Sequence, residues 1–235
     1  MCRSTDPRDR RSRVAALVEA ESGRRILIDT PPELRLQLLA AGVGSVDAVL
    51  YTHDHADHIH GIDDLRAFTA RGGALSVHGP ADTLERLRQR FPYIFDPETP
   101  PQPETPRPHL VMTPLDPGSE VTIAGLPVLP LEFEHGGMRV FGYRIGALGY
   151  LTDVKAVPAA AVERLRGVRV LVVNALFDRP HPTHLSIPEA VSVARAVGAE
   201  RTLLTHLTHR YAHADLAARL PAGIEPAYDG LTVSF

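Results

Sequence analysis

The stretch YTHDHADHIHG, residues 51–61, puts four histidines and two aspartates into eleven positions. It follows DAVLYT (47–52), an apolar run that reads as a buried strand, so the histidines fall at a strand end, where a scaffold presents functional groups rigidly. In extended chain, residues i and i+2 project to the same side, and His53 and His55 can therefore converge on one ion. Asp57 and His58 come as the chain turns and can face a second ion nearby. Imidazole suits zinc, iron or manganese, and a carboxylate adds charge without closing the coordination shell. The reading is a metal site with H-x-H-x-D-H spacing, in the loop that leads into the next helix.

Outward from this cluster, short apolar strands alternate with amphipathic helices. RRILIDT (24–30) reads as a strand and PPELRLQLLAAG (31–42) as a helix opened by proline and closed by Gly42. DDLRAFTAR (63–71) is helical, ALSVHG (74–79) a strand and PADTLERLRQRF (80–91) a helix. The proline-rich FPYIFDPETPPQPETPRPHL (91–110) interrupts the pattern, because its prolines remove backbone donors. It reads as a surface excursion, with a lid or a homodimer contact as alternatives. Afterwards LVMTPL, EVTI, LPVLPLEFEH, RVFGYRIG and LGYLTD are short strands. VPAAAVERLRG is a helix and VRVLVVNAL (168–176) a strand apolar on both faces. In SIPEAVSVARAVG (186–198), Ser186 and Glu189 form a capping box and Gly198 ends the helix. RTLLTH, a short helix near 213–220 and GLTVSF complete the chain. No linker divides it, so residues 1–235 read as one α/β domain, a four-layer sandwich with helices outside the sheets.

Composition narrows the function classes. The chain has 235 residues, 44% of them hydrophobic and 23% charged, which suits a folded globular protein. A net charge of −3 gives no electrostatic case for nucleic acid. The single cysteine cannot form an internal disulfide, and no long apolar run or secretory signal is present. The cytoplasm is the expected compartment, with no membrane partner.

Further metal ligands should also lie at strand ends, and His135, Asp153 and His206 each close an apolar β run. Taken alone, any of them reads equally as a surface histidine or a capping aspartate. Asp29, at the end of ILID, reads either as a support for a ligand histidine or as a helix cap. His60, His78, His109 and His213 carry no functional signal.

The ordered set THDHADH, then single His, Asp and His at later strand ends, resembles the metallo-β-lactamase superfamily of dinuclear hydrolases. THDHADH, the pair GYRI and LTD, HPTHLS, LTHLTH and YDGLTV, which span most of the chain, are closest to PhnP-type phosphodiesterases, which open phosphoribosyl 1,2-cyclic phosphate. The resemblance implies two divalent metal ions per chain, zinc or manganese, with iron as a further option. It implies one ion on His53, His55 and His135, another on Asp57, His58 and His206, and Asp153 bridging them. His184 in HPTHLS falls on the family's non-ligand catalytic histidine, with His181 as its rival, and Asp57 joins His184 as a catalytic residue. The implied reaction is hydrolysis of a small cyclic phosphodiester by a metal-bridging hydroxide, with His184 donating a proton to the leaving oxygen.

Other classes stay open at this point: a thioesterase like glyoxalase II, an RNase Z-like nuclease, or a truncated relic that binds metal without catalysis. One departure bears on the last. PhnP-like chains usually begin with a strand and a C-x-C-x-x-C segment, and here Met1 and Cys2 fall where that segment ends. Cys2 and His209 look like half of a structural zinc site, so the expectation is either a misplaced chain start or the loss of a first strand and a structural zinc; the plain alternative is a loose terminus and a surface histidine.

Overall fold

Apolar runs bounded by glycine and proline become strands, and amphipathic stretches become the helices between them. The computed structural model describes residues 3–70, 73–100 and 104–235. The chain folds into two compact units, the first built on Arg13–Asp116 with Thr122–Leu126, the second on Pro127–Phe235 with Pro117–Val121 and the N-terminal segment up to Ser12.

The first unit contains β1 (Ala16–Glu19), β2 (Arg25–Ile28), α1 (Leu34–Ala40), β3 (Ala48–Leu50), α2 (Ala56–Ile59), α3 (Arg66–Thr69), β4 (Leu75–Gly79), α4 (Ala81–Arg90), α5 (Pro92–Phe95) and β5 (Leu110–Pro114). Its sheet runs β1-β2-β3-β4-β5, with β1 antiparallel to β2 and every later pair parallel. Parallel strands need both faces covered, and Ala48, Val49 and Leu50 of β3 are wholly buried. Leu27, Leu34, Val49, Tyr51, Ile59, Val77 and Leu84 belong to one core cluster.

Three expectations shift here. The helix expected over 31–42 is shorter, because the Pro31–Pro32 pair holds the chain out of helical geometry until Leu34. The stretch 63–71 divides into a 3₁₀ turn, Ile62–Leu65, and α3; position 71 lies outside the described residues. LVMTPL, read with the later strands, instead pairs with β4 in the first sheet. The proline-rich excursion is tied to itself, since Arg107 Nη1 donates to the carbonyls of Tyr93 and Thr99 at 3.1 and 2.8 Å.

After β6 (Val121–Ile123), the second unit contains β7 (Leu126–His135), β8 (Met138–Ile145), β9 (Leu148–Leu151), α6 (Ala159–Leu165), β10 (Val170–Asn174), α7 (Ile187–Val197), β11 (Arg201–Thr205), α8 (His213–Ala217) and β12 (Ile224–Pro226). Its strands lie in the order β12-β11-β10-β9-β8-β7, parallel from β9 to β12 and antiparallel from β7 to β9. Leu131, Phe133, Leu151, Leu171, Val173, Leu185 and Leu204 share its core cluster. Helix α7 has the expected capping box of Ser186 and Glu189, and Gly198 closes it in the left-handed conformation. The N-terminal segment packs on this unit: Arg11 Nη2 donates to the carbonyls of Thr208 and Tyr211 at 3.2 and 2.9 Å, and Asp9 Oδ1 accepts from the His213 amide at 2.7 Å. His209 is exposed, and Cys2 lies outside the described residues. Among the described residues, no helix is long and apolar enough to cross a membrane.

Candidate metal centre

In the first unit, the histidine cluster straddles the start of α2. His53 and His55 precede the helix, while Asp57 and His58 belong to its single turn, so this part is helix where a loop was expected. The turn is held by the segment after β2: the Thr30 amide donates to the His58 carbonyl at 2.7 Å and the Gly61 amide to the Thr30 carbonyl at 2.8 Å. Gly61 is required for this approach, since a Cβ there would lie 2.2 Å from the Pro31 carbonyl oxygen. The rings of His53 and His55 lie 4.6 Å apart and those of His53 and His58 4.2 Å. His58 Nε2 lies 3.6 Å from Asp57 Oδ2.

Asp29 organises these rings. It is fully buried, its oxygens accept from the Thr52 amide and the Thr52 hydroxyl, both at 2.8 Å, and its Oδ2 lies 2.8 Å from His58 Nδ1. It therefore supports a histidine rather than capping α1, which has no side-chain cap. Burial raises its carboxyl above the usual carboxylate range, and His58 and the Thr52 donors oppose that shift. The partners also set the tautomers. A carboxylate accepts, so His58 carries its proton on Nδ1 and directs the Nε2 lone pair towards the cluster. The Thr52 hydroxyl spends its proton on Asp29, so it accepts from His53 Nδ1 at 3.0 Å, and His53 has the same tautomer. Asp54, which carried no signal in the sequence, is buried between the two histidines. Its carboxylate pairs with Arg86 and Arg90 of α4 at 2.8 and 2.6 Å.

The second unit gathers His135, Asp153, His184 and His206 from the ends of β7, β9 and β11 and from the loop before α7. Asp153 Oδ2 lies 3.1 Å from His184 Nε2, 3.4 Å from His206 Nε2 and 3.7 Å from His135 Nε2. Suitable donor atoms of Asp153, His184 and His206 all lie within 4.8 Å of one another. The Thr183 carbonyl sits 2.9 Å from His135 Nδ1; being only an acceptor, it fixes the proton there and turns the Nε2 lone pair to Asp153. His184 differs, because its Nδ1 meets the Thr183 hydroxyl at 2.8 Å, a group that both donates and accepts. His181 lies behind His184, with ring centres 5.3 Å apart.

Strain marks the same positions. Asp29, Asp153 and His206 have φ of 62°, 57° and 54°, left-handed values that cost a non-glycine residue about 1–2 kcal/mol. Each unit thus brings imidazole nitrogens and carboxylate oxygens together, and the tautomers of His53, His58 and His135 are set for coordination. This donor set fits divalent metal ions of the zinc and manganese type.

Residues 24–207 match the family described as the Beta-lactamase superfamily domain. The chain belongs to this superfamily. Within it, the crystal structure of a diphosphatase from the PhnP family is 37% identical, with a TM-score of 0.88, over 98% of this chain and 86% of the other. A ribonuclease Z of Methanopyrus kandleri is 30% identical over 86% of this chain and 83% of its own length. An octanoyltransferase of Porphyromonas gingivalis is 38% identical over 98% of this chain, which spans 46% of that relative's length. This superfamily member has the metallo-β-lactamase fold, and it is a hydrolase.

Proposed function

We propose that the chain is a dinuclear metal-dependent phosphodiesterase acting on a small cyclic phosphodiester of the phosphoribosyl 1,2-cyclic phosphate type. On this reading, residues 1–235 work as one hydrolase domain. The family resemblance assigns His53, His55 and His135 to one ion and Asp57, His58 and His206 to the other, with Asp153 shared. The observation that carries the reading is the contrast in hydrogen bonding between histidines. His58 and His135 have Nδ1 against groups that can only accept, and His53 Nδ1 meets a Thr52 hydroxyl whose proton goes to Asp29, as metal ligands need, whereas the Thr183 hydroxyl at His184 Nδ1 has no carboxylate among the described residues to take its proton. That difference suits His184 to proton transfer. Phosphorus chemistry is supported by the relatives, because diphosphatase and ribonuclease both name enzymes that cleave a phosphorus–oxygen bond.

Divalent metal ions, when bound, supply Lewis acidity and an activated water. The protein's own part follows from its geometry. Asp29, Thr52 and the Thr183 carbonyl hold three imidazoles with Nε2 lone pairs directed inward. His184 Nε2 faces Asp153 Oδ2, which accepts, so that nitrogen carries a proton available to a leaving oxygen. Asp57, with a side chain 41% exposed, is open to incoming water and joins His184 as a catalytic group.

The ribonuclease Z likeness favours a second reading, a nuclease acting on RNA, against which the net charge of −3 counts. The octanoyltransferase name belongs to a protein of which this chain covers less than half, and it is not carried over. The test is kcat/KM of metal-replete protein on a phosphodiester, a phosphomonoester, a thioester, a β-lactam and precursor tRNA. The phosphodiester should be hydrolysed fastest. A thioester in first place would replace this reading with a glyoxalase II-like one, and precursor tRNA in first place with the nuclease. Bound metal without any turnover would leave a non-catalytic binder.

A further inference from the structure

We propose that Thr183 is a positioning residue, whose hydroxyl holds the His184 ring in register with Asp153. The inference rests on His184 being the proton donor proposed above. Thr183 makes three kinds of contact at once: its carbonyl meets His135 Nδ1 at 2.9 Å, its hydroxyl meets His184 Nδ1 at 2.8 Å, and the same hydroxyl lies 3.2 Å from His181 Nδ1. One residue therefore sets the orientation of a ligand histidine and of the proposed acid.

The hydroxyl's direction follows from its neighbours. The Thr183 amide donates to His181 Nδ1 at 3.3 Å, which marks that nitrogen as an acceptor. When His184 carries its proton on Nε2 alone, the Thr183 hydroxyl donates to His184 Nδ1. When Nδ1 carries a proton, as in the imidazolium and in the neutral ring left after Nε2 has given its proton to a leaving oxygen, the hydroxyl oxygen accepts from it and turns its own proton to His181. Both arrangements keep Nδ1 hydrogen-bonded without rotating the ring, so Nε2 stays on Asp153 Oδ2. A valine in place of Thr183 has the same shape but removes the 2.8 Å partner of Nδ1 and leaves it only the longer approach to His181 Nδ1 at 3.4 Å.

The backbone around Thr183 is fixed independently. Gly136, at φ 58° in the turn after β7, would carry a Cβ only 2.9 Å from Thr183 Cγ2, so this turn closes directly on the threonine. On the other side, Lys155 Nζ bonds Glu189 Oε1 at 2.9 Å and approaches the His184 carbonyl at 3.5 Å, and the capping box begins at Ser186. Thr183→Val retains the carbonyl and the methyl in this frame and removes only the hydroxyl.

The experiment compares Thr183→Val and Thr183→Ser with wild type and with His184→Ala, using two phosphodiesters, one with a p-nitrophenolate and one with an alkoxide leaving group. Metal content and chelator-competition affinity are read alongside turnover. Thr183→Val should lose about 10–100-fold in kcat, with KM, metal content and metal affinity unchanged. The loss should be larger for the alkoxide, which needs protonation more. Thr183→Ser should recover most of the rate. A Thr183→Val protein that works at the wild-type rate, loses metal in step with activity, or loses equally on both leaving groups overturns the inference. If Thr183→Val does not fold, Thr183→Ala against Thr183→Ser isolates the hydroxyl with the same outcomes. A silent His184→Ala would instead overturn the proton-donor reading itself. An impaired His184→Ala beside a silent Thr183→Val would remove only the role of Thr183.

Discussion

Asp29 shows at the scale of one residue how chemistry and strain coincide. Its left-handed backbone is unfavourable for a side chain larger than glycine, yet its carboxylate receives both Thr52 donors and faces His58 Nδ1. Asparagine tolerates this conformation and has nearly the same shape, but it sets an NH₂ group against existing donors. Asp29→Asn should therefore fold and bind metal about 10–100-fold more weakly. Circular dichroism and chelator competition check the two halves of that expectation, and an unchanged affinity would remove Asp29 from the account. The histidines and Asp57 were legible in the sequence because they are dense and local to one strand end. His135, Asp153 and His206 were legible only as strand-end residues of the right chemical type. Asp54 was not legible, since its carboxylate pairs with Arg86, 32 positions away, and with Arg90; nor was the contact of the Thr183 carbonyl with His135, 48 positions away.

Among the elements, α7 was read in full, because its capping box and terminal glycine are local signals. Its cap stands two residues after His184, so it fixes the chain leaving the proposed acid. Ser186→Ala should cost about 1 kcal/mol of stability with metal content unchanged, measured by urea unfolding of the metal-loaded protein. Loss of metal at equal stability would show that the cap acts on the site instead. Elements governed by longer-range pairing were read less well. Strand β5 joins β4 by parallel pairing across the proline-rich excursion, which no local periodicity reveals. Strand β4 also carries His78, whose pKa burial lowers from its ordinary value of 6.5. The unfolded chain then takes up the His78 proton first as pH falls through 6.5, so this group's contribution to stability is lost on the acid side and levels off below the folded pKa. His78→Gln should flatten that part of the stability profile, and urea midpoints of wild type and variant on either side of the transition test it. A parallel decline in both would assign the acid sensitivity to other groups.

For the whole molecule, the alternation of strands and helices made the α/β class legible, whereas the division into two compact units was not, because no linker composition marks it. The central claim, which we propose from the family resemblance, is that His53, His55, Asp57, His58, His135, Asp153 and His206 hold a pair of ions. This claim comes from the family resemblance together with the tautomers that each unit fixes for itself. If His53 and His135 hold one ion in common, removing either loses that ion, and removing both loses nothing further. Residues of one network are non-additive in this way, whereas independent sites add. The decisive measurement is metal content per chain under metal-replete conditions for wild type, His53→Ala, His135→Ala and the double variant. The account predicts two metals in wild type, and the same single loss in each variant and in the double. One metal or none in wild type, or a double variant that loses the sum of both singles, would contradict it.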